Sequence, residues 1–214
     1  MSLGAMGGTF LRFSPDRRKV ILDRCIDLFN RHGYDGCSTN ILKDGLKVAK
    51  GTFYKYIVSK EDLYLYLSEK VLKELTELQN DSRVLAPPDI IERFSLLNDR
   101  FLDYYSRDSR SFIFLMNILV NPSAPLYDRI EKRRRELVGE HMDAFLSGID
   151  WSLYRYDRHK VLRLAFWAVN GFRQELYERL VRGDDPDTIA EQARDDSALL
   201  TGMLKAALLR SPGD

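Results

Sequence analysis

Residues 38–63 read STNILKDGLKVAKGTFYKYIVSKEDL, and this stretch decides the fold. Four of its apolar residues are spaced to bury one short helix: Ile41, Leu42, Leu46 and Val48. Lys50, Gly51 and Thr52 then open a second helix, which carries Phe53 inward. Two short helices joined by a tight turn predict a helix-turn-helix.

The run Tyr54, Lys55 and Tyr56 has no apparent role in burying the second helix. Two phenols and an ammonium group on one short helix suit contacts with phosphates and base edges. A surface turn that happens to contain tyrosines is the plainer interpretation. Because the flanking residues also fit the helix-turn-helix pattern, we favour a DNA-recognition element.

With its flanks, this stretch resembles the N-terminal domain of the TetR family of bacterial transcriptional regulators. The resemblance needs no gap between residues 33 and 63, and it covers residues 17–63. It is carried by three groups of residues: Gly33-Tyr34, Lys50-Gly51-Thr52-Phe53-Tyr54 and Ser59-Lys60-Glu61-Asp62-Leu63. Beyond residue 63 it extends only to length and helical pattern.

Three residues in and around the turn depart from the family pattern. Lys43 stands where the family usually has a small alanine between the helices, and Ala49 where it has a capping serine. Lys47 replaces the glycine of the turn, so we expect strain if it adopts the left-handed backbone conformation. A turn carried by Gly45 instead is the alternative.

The composition predicts an ordinary soluble globular protein, with 214 residues of which 44% are apolar and 30% charged. The net charge of +1 conceals an asymmetry along the chain. Residues 10–60 hold 11 Lys and Arg against 5 Asp and Glu, whereas residues 61–214 hold 22 against 27. A basic end on an acidic body is typical of a protein that presents one end to a polyanion.

Cys25 and Cys37 form no CxxC pair and have no histidine at zinc spacing, so neither a disulfide framework nor a structural metal is predicted. The opening MSLGAMGG lacks the basic and apolar parts of a signal peptide, and an expression remnant is one interpretation of it. No run approaches eighteen apolar residues. We therefore expect a cytoplasmic protein without a membrane partner.

Apolar residues at helical spacing predict an all-α fold of about nine helices. The first helix follows the start Ser14-Pro15-Asp16 and ends at Gly33, and Ser59 caps a long helix with Asp62 as the capping-box acid. Later helices are predicted over residues 90–105, 111–119, 124–148, 157–181 and 187–209. The run FIFLMNIL at 112–119 also has the length of a buried strand, but the chain offers no second strand to pair with it.

These helices are predicted to form two domains. Residues 1–62 would be an N-terminal three-helix, helix-turn-helix DNA-binding domain, and residues 63–214 a C-terminal helical ligand-binding and dimerisation domain. The last two helices, separated by a loop that begins at Gly183, have broad apolar faces with small residues. They predict a four-helix dimer interface with a second copy, as the resemblance also implies.

Catalytic motifs are missing from the sequence, which has no HExxH, GxSxG, GxxxxGK[ST] or strand-borne GxGxxG. Glu140, His141 and Asp143 are neighbours on one predicted helix, and a solvated face is favoured there over a metal site. The KRRR run at 132–135 is likewise interpreted as an ion-paired surface in preference to a nucleic-acid patch. We predict no enzymatic activity, no cofactor and no metal.

The resemblance implies a ligand-responsive transcriptional regulator, interpreted as a repressor. It would bind double-stranded, palindromic operator DNA as a homodimer and be released by a small apolar or aromatic effector. The alternative is a helical dimeric interaction or small-molecule-binding protein with a degenerate helix-turn-helix that does not bind DNA. A negative potential around residues 50–60 would favour this alternative.

Carried over residue by residue, the resemblance implies DNA contacts by eleven residues: Arg17, Arg18, Thr39, Asn40, Lys50, Gly51, Thr52, Tyr54, Lys55, Tyr56 and Lys60. Gly51 would let the backbone approach DNA and Lys60 would clamp a phosphate, while Leu42, Val48 and Phe53 are core. For Arg17 and Arg18, a solvated surface pair is an equal alternative.

An effector pocket is predicted among the four helices from residue 90 to residue 181, where aromatic side chains are abundant beside a few polar ones. Aromatic residues at helical spacing belong more often to a core than to a ligand site, and both interpretations stay open. The predicted lining is Phe94, Phe101, Tyr104, Tyr105, Phe112, Met116, Trp167, Asn170, Phe172, Arg173 and Gln174.

Overall fold

The computed structural model describes residues 3–182 and 184–210, and these residues form an all-α fold with two isolated β-bridges. Met1 and Ser2 of the opening segment, and Gly183 of the predicted loop, lie outside the described residues. The described chain contains eleven α-helices: α1 (Gly8–Leu11), α2 (Pro15–Gly36), α3 (Thr39–Gly45), α4 (Lys50–Tyr56), α5 (Lys60–Glu77), α6 (Ser82–Leu85), α7 (Ile90–Arg107), α8 (Ser109–Leu119), α9 (Tyr127–Leu146), α10 (Arg158–Arg182) and α11 (Pro186–Leu208).

Local capping signals fix the helix ends that the sequence predicts. The Ser14 hydroxyl accepts a hydrogen bond from the Arg17 amide at 3.4 Å, and Pro15 begins α2. Gly33 interrupts α2 with a φ of +67°, which confirms the predicted break. The Asp62 amide donates to the Ser59 hydroxyl at 2.9 Å, so the predicted cap of α5 is also confirmed.

Other bounds differ from the prediction. The run FIFLMNIL lies in α8 and is helical, as expected. α9 begins at Tyr127 instead of residue 124, because Pro125 disfavours a helical backbone at Ala124 and Leu126 has a φ of +63°. The short helices α1 and α6 were not predicted, since four-residue helices carry no measurable periodicity.

Contacts divide the described chain into two compact units. The first takes in the chain up to Glu74 together with Arg110–Leu137, and the second takes in Leu75–Ser109 together with the chain from Val138 onward. The predicted boundary after residue 62 falls within α5, so it does not coincide with this division. The assignment of DNA binding to residues 1–62 and of ligand binding to residues 63–214 stays a prediction.

The first unit is held together by aromatic rings and ion pairs. The Tyr64 ring lies 4.9 Å from Phe29 and 5.1 Å from Phe114, centroid to centroid, and these edge-to-face contacts join α2, α5 and α8. The KRRR run in α9 is engaged with carboxylates: Arg134 and Arg135 with Glu131, and Arg133 with Glu69 and Glu136. The predicted ion pairing is therefore confirmed for the three arginines of the run, although the pair between Arg133 and Glu69 is largely buried and not part of a solvated face.

The second unit has a core between α7, α10 and α11. At the start of α7 the buried Tyr154 hydroxyl donates to Asp89 and accepts from the Ile90 amide at 2.8 Å. Burial and the neighbouring Asp89 raise the pKa of Tyr154. Arg93 is 2% exposed, and its guanidinium donates to the carbonyl oxygens of Pro87 and Phe145. These buried polar groups are thus largely satisfied within the unit.

Candidate nucleic-acid interface

In the turn between α3 and α4, Lys47 adopts the left-handed backbone conformation that reverses the chain. Its φ is +55°, in the left-handed region, so the expectation for Lys47 is confirmed and the alternative at Gly45 is wrong. Gly45 is small for another reason, because a Cβ there would lie 2.5 Å from Cδ1 of Leu28 in α2. α3 begins with the Ser38 hydroxyl accepting from the Ile41 amide at 3.2 Å, whereas Ala49 gives α4 no side-chain cap.

Lys47→Gly is expected to stabilise the chain by about 1 kcal/mol, because glycine adopts a positive φ without the steric cost of a Cβ. Chemical unfolding followed by circular dichroism measures the change. The matched control is Lys43→Gly, which places the glycine inside α3 and should destabilise the chain by about 1 kcal/mol. A neutral or destabilising Lys47→Gly would contradict a strained turn.

The two faces of α4 differ in burial. Phe53 is 1% exposed and fixes the inner face, while Tyr54 is 49% exposed and lies next to the exposed Lys55. At the start of the helix Lys50 and Gly51 are exposed and Thr52 is half-buried. α4 therefore presents Lys50, Gly51, Tyr54 and Lys55 on one outer surface, as the DNA-contact prediction requires.

Tyr56 corrects one of the predicted DNA contacts. Its side chain is buried, and its ring packs edge-to-face against Phe13 at 5.0 Å. Tyr56 follows Phe53 by three residues, so both side chains lie on the inner face of the helix. The run of three polar residues that the sequence suggested is thus divided between the outer surface and the core.

Lys60 is half-buried and makes two contacts with Tyr34. Its ammonium donates to the Tyr34 carbonyl oxygen at 2.9 Å and lies 4.2 Å from the centroid of the Tyr34 ring. These contacts orient the Lys60 side chain, and its phosphate contact stays a prediction. Burial raises the pKa of the nearby Cys37 thiol, although Lys60 acts in the opposite direction.

The remaining predicted DNA contacts lie at the starts of α2 and α3. Arg17 is exposed, and its guanidinium carbon lies 3.9 Å from the centroid of the Phe13 ring. Arg18 and Thr39 are half-buried, and Asn40 is exposed. Both helix starts therefore offer side chains at the surface, and Arg17 is held there by an aromatic ring.

The structure divides the predicted pocket residues into three groups. Phe112 and Met116 belong to the first unit. In the second unit Tyr104 and Tyr105 are buried, Phe94 and Phe172 are half-buried, and the Arg173 guanidinium lies 3.9 Å from the Phe101 ring centroid. Trp167, Asn170 and Gln174 are exposed on α10, with Trp167 at 62%. This third group corrects the prediction, because exposed side chains do not line an enclosed pocket.

Sequence reasoning missed two buried polar residues in the second unit. Asn98 in α7 is 4% exposed and Ser197 in α11 is 2% exposed, and neither Asn98 Oδ1 nor Ser197 Oγ has a hydrogen-bond partner within the described chain. Ion pairs from Arg194 to Asp103 and from Lys205 to Glu92 set the two helices antiparallel. This register brings Asn98 and Ser197 to about the same level of the helix pair. The signal in the sequence was a polar residue within each apolar stripe.

Among residues 3–182 and 184–210, no cluster of three or more His, Cys, Asp or Glu side chains could hold a metal ion. No helix in that part of the chain is long and apolar enough to cross a membrane.

Comparison with known proteins identifies the helix-turn-helix. Residues 21–67 match the family model described as bacterial regulatory proteins, tetR family. Over 69 residues the chain is 29% identical to the uncharacterized HTH-type transcriptional regulator YhgD of Bacillus subtilis (strain 168). That match covers 32% of this chain and 36% of YhgD, so it spans about a third of the curated relative.

Solved structures show the same fold over most of the chain. A TetR family transcriptional regulator from Chloroflexus aurantiacus J-10-FL has a TM-score of 0.65 at 19% identity, over 97% of this chain and 100% of that chain. The ketosteroid transcriptional regulator KstR2 of Mycobacterium tuberculosis has a TM-score of 0.64 at 18% identity, over 93% and 98%. Residues 21–67 therefore match the helix-turn-helix region of the tetR family of bacterial regulatory proteins, and the chain shares its fold with solved structures of TetR family transcriptional regulators.

Proposed function

We propose that this protein is a repressor that binds a palindromic operator as a homodimer through α4 and is released by a small effector. The observation that carries the proposal is the two-sided α4, in which Phe53 and Tyr56 anchor the helix while Tyr54 and Lys55 stay exposed. A short helix held in this way suits insertion into the major groove. The alternative of a degenerate helix-turn-helix is disfavoured by the exposed Lys47, Lys50 and Lys55.

Selection of bound duplexes from random DNA at low salt tests the DNA-binding function. We expect enrichment of one palindromic sequence with two half-sites, because a two-fold symmetric dimer presents two copies of α4. Locating the recovered sequence in the source genome then names the regulated genes. Selection that enriches no duplex, even at low salt, would contradict operator binding.

Exposed apolar side chains on the last two helices support the proposed dimer. On α10 Phe166 and Trp167 are 50% and 62% exposed, and on α11 Leu199 and Met203 are 65% and 62% exposed. Large apolar side chains grouped on a surface mark protein interaction sites. We assign this face, including the Trp167 that was first predicted to line the pocket, to contact with a second copy.

Trp167→Asp is expected to raise the dissociation constant of the dimer by at least about tenfold. The substitution removes the Trp167 ring from the proposed interface and buries a carboxylate in its place. Sedimentation velocity over a concentration series measures this constant. The matched control is Tyr156→Asp, which adds the same charge at an aromatic residue that is 42% exposed and lies before α10. If both variants dimerise like the parent chain, the interface lies elsewhere.

For the effector, we propose a site in the second unit around Phe101 and Arg173, with Asn98 and Ser197 supplying polar contacts. A buried polar atom without a hydrogen bond costs about 1–3 kcal/mol. An effector that brings a donor and an acceptor would recover part of that cost, while the aromatic surroundings bind its apolar body. We therefore propose an apolar or aromatic molecule that carries at least one hydroxyl, carbonyl or amide group.

A further inference from the structure

The segment that precedes α2 packs against the end of α4. The Gly7 amide donates to the Tyr56 carbonyl oxygen at 2.8 Å, and Met6 forms an isolated antiparallel bridge with Ile57. Further back, the Leu3 amide donates to Glu69 Oε2 at 2.7 Å in α5. We call residues 3–13 the N-terminal brace.

Two side chains of the brace are as deeply buried as the core of the first unit, whereas Leu11 is 53% exposed. Phe10 is 0% exposed and Met6 is 7% exposed. The Phe10 ring lies 6.2 Å from Tyr66 in α5 and 6.3 Å from Phe13, and Phe13 in turn packs against Tyr56. The brace therefore joins the inner face of α4 to the start of α5 through one aromatic cluster.

Two glycines show how closely the brace approaches the backbone of its neighbours. A Cβ at Gly7 would lie 2.2 Å from the Lys55 carbonyl oxygen, and a Cβ at Gly4 would lie 2.2 Å from the Asp62 carbonyl oxygen. These are backbone atoms, so a larger residue at either position requires the helix or the brace to move. Gly7 thus contacts the same residue, Lys55, that α4 exposes on its outer surface.

α4 needs such support from outside. It has seven residues, and an isolated helix of that length is unstable in water. Its start lacks a side-chain cap at Ala49, and the last carbonyl oxygens of any helix have no partner within it. The Gly7 amide supplies a partner for one of them, the Tyr56 oxygen.

We propose that the N-terminal brace positions α4 and thereby determines how tightly and how selectively the protein binds its operator. The proposal rests on the operator binding proposed above. Base contacts depend on the placement of α4 within the groove, whereas phosphate contacts tolerate small shifts because they are largely electrostatic. A displaced brace therefore weakens specific binding and leaves non-specific binding nearly unchanged.

The test compares Gly7→Ala with Gly8→Ala in the full chain. The two glycines are adjacent, but a Cβ at Gly8 would meet nothing within 4 Å, so Gly8→Ala is the matched control. Affinities for the selected operator and for an unrelated duplex are measured well below the melting temperature of each variant. We expect Gly7→Ala to bind the operator about 5- to 150-fold more weakly, the equivalent of one lost base contact, with unchanged affinity for the unrelated duplex. Gly8→Ala should match the parent chain.

A merely structural role would lower the melting temperature without changing the ratio of specific to non-specific affinity in the folded protein. If folded Gly7→Ala binds the operator as tightly as Gly8→Ala, the brace proposal is overturned while operator binding stands. If the parent chain selects no duplex, both proposals fall. Should Gly7→Ala not fold, Phe10→Leu loosens the same segment, and an unchanged affinity ratio in that variant overturns the proposal equally.

Discussion

Tyr54→Ala and Lys55→Ala are each expected to weaken operator binding by about 1 to 3 kcal/mol, or about 5- to 150-fold. Both side chains are exposed on the outer face of α4, where they can reach base edges or phosphates without rearrangement. Fluorescence anisotropy titration of the selected operator at fixed salt measures the loss. Because Lys55 carries a charge, its removal should also lower the slope of log affinity against log salt by about one if it contacts a phosphate.

The control for these variants is Tyr56→Phe, two residues from Tyr54. Tyr56 is buried against Phe13, so its ring contributes packing, and the loss of its hydroxyl should leave operator affinity unchanged. If Tyr56→Phe weakens operator binding as much as Tyr54→Ala does, the Tyr56 hydroxyl contacts DNA. The Tyr56 side chain would then point inward only in the absence of DNA. Unchanged affinity in all three variants would exclude α4 as the recognition helix.

An effector bound in the second unit is expected to change operator affinity about 5- to 150-fold, which corresponds to a coupling of about 1 to 3 kcal/mol. The two copies of α4 in a dimer must reach successive major grooves roughly 34 Å apart, so a change in their separation alters affinity. The effector must bind with different affinity to the conformation that binds operator and to the one that does not. If the effector is an inducer, bound operator must weaken effector binding by the same factor. Titration of the operator complex with a compound found by thermal-shift screening of aromatic and apolar molecules measures both directions.

Phe101→Ala and Ser197→Ala should weaken the response to this compound and leave operator binding without the compound nearly intact. Phe101 supplies the ring beneath Arg173, and the Ser197 hydroxyl has no partner in the described chain, so Ser197→Ala removes no hydrogen bond there. Tyr156→Ala is the control, since this exposed aromatic lies outside the proposed site. If a compound binds the second unit without changing operator affinity, the proposed effector control is wrong, and dimerisation is the remaining role of that unit.

Local features of the sequence determined the helix-turn-helix and the ends of most helices. Ser14, Ser38 and Ser59 cap helices through hydrogen bonds to amides three residues away, and such contacts depend on little beyond the local chain. The strain at Lys47 was predictable for the same reason, because the turn leaves that residue few backbone conformations. The inward position of Phe53 followed from helical spacing.

Only the tertiary structure decided which surface each side chain meets. Spacing places Tyr56 on the same face as Phe53, but Phe13, which packs against Tyr56, lies 43 residues earlier in the chain. The Tyr34 carbonyl holds Lys60, and the N-terminal brace reaches α4 through Gly7; neither contact follows from local pattern. Likewise Trp167 is exposed while Asn98 and Ser197 are buried, because burial depends on which helices pack together, and hydropathy along one helix does not specify its partners.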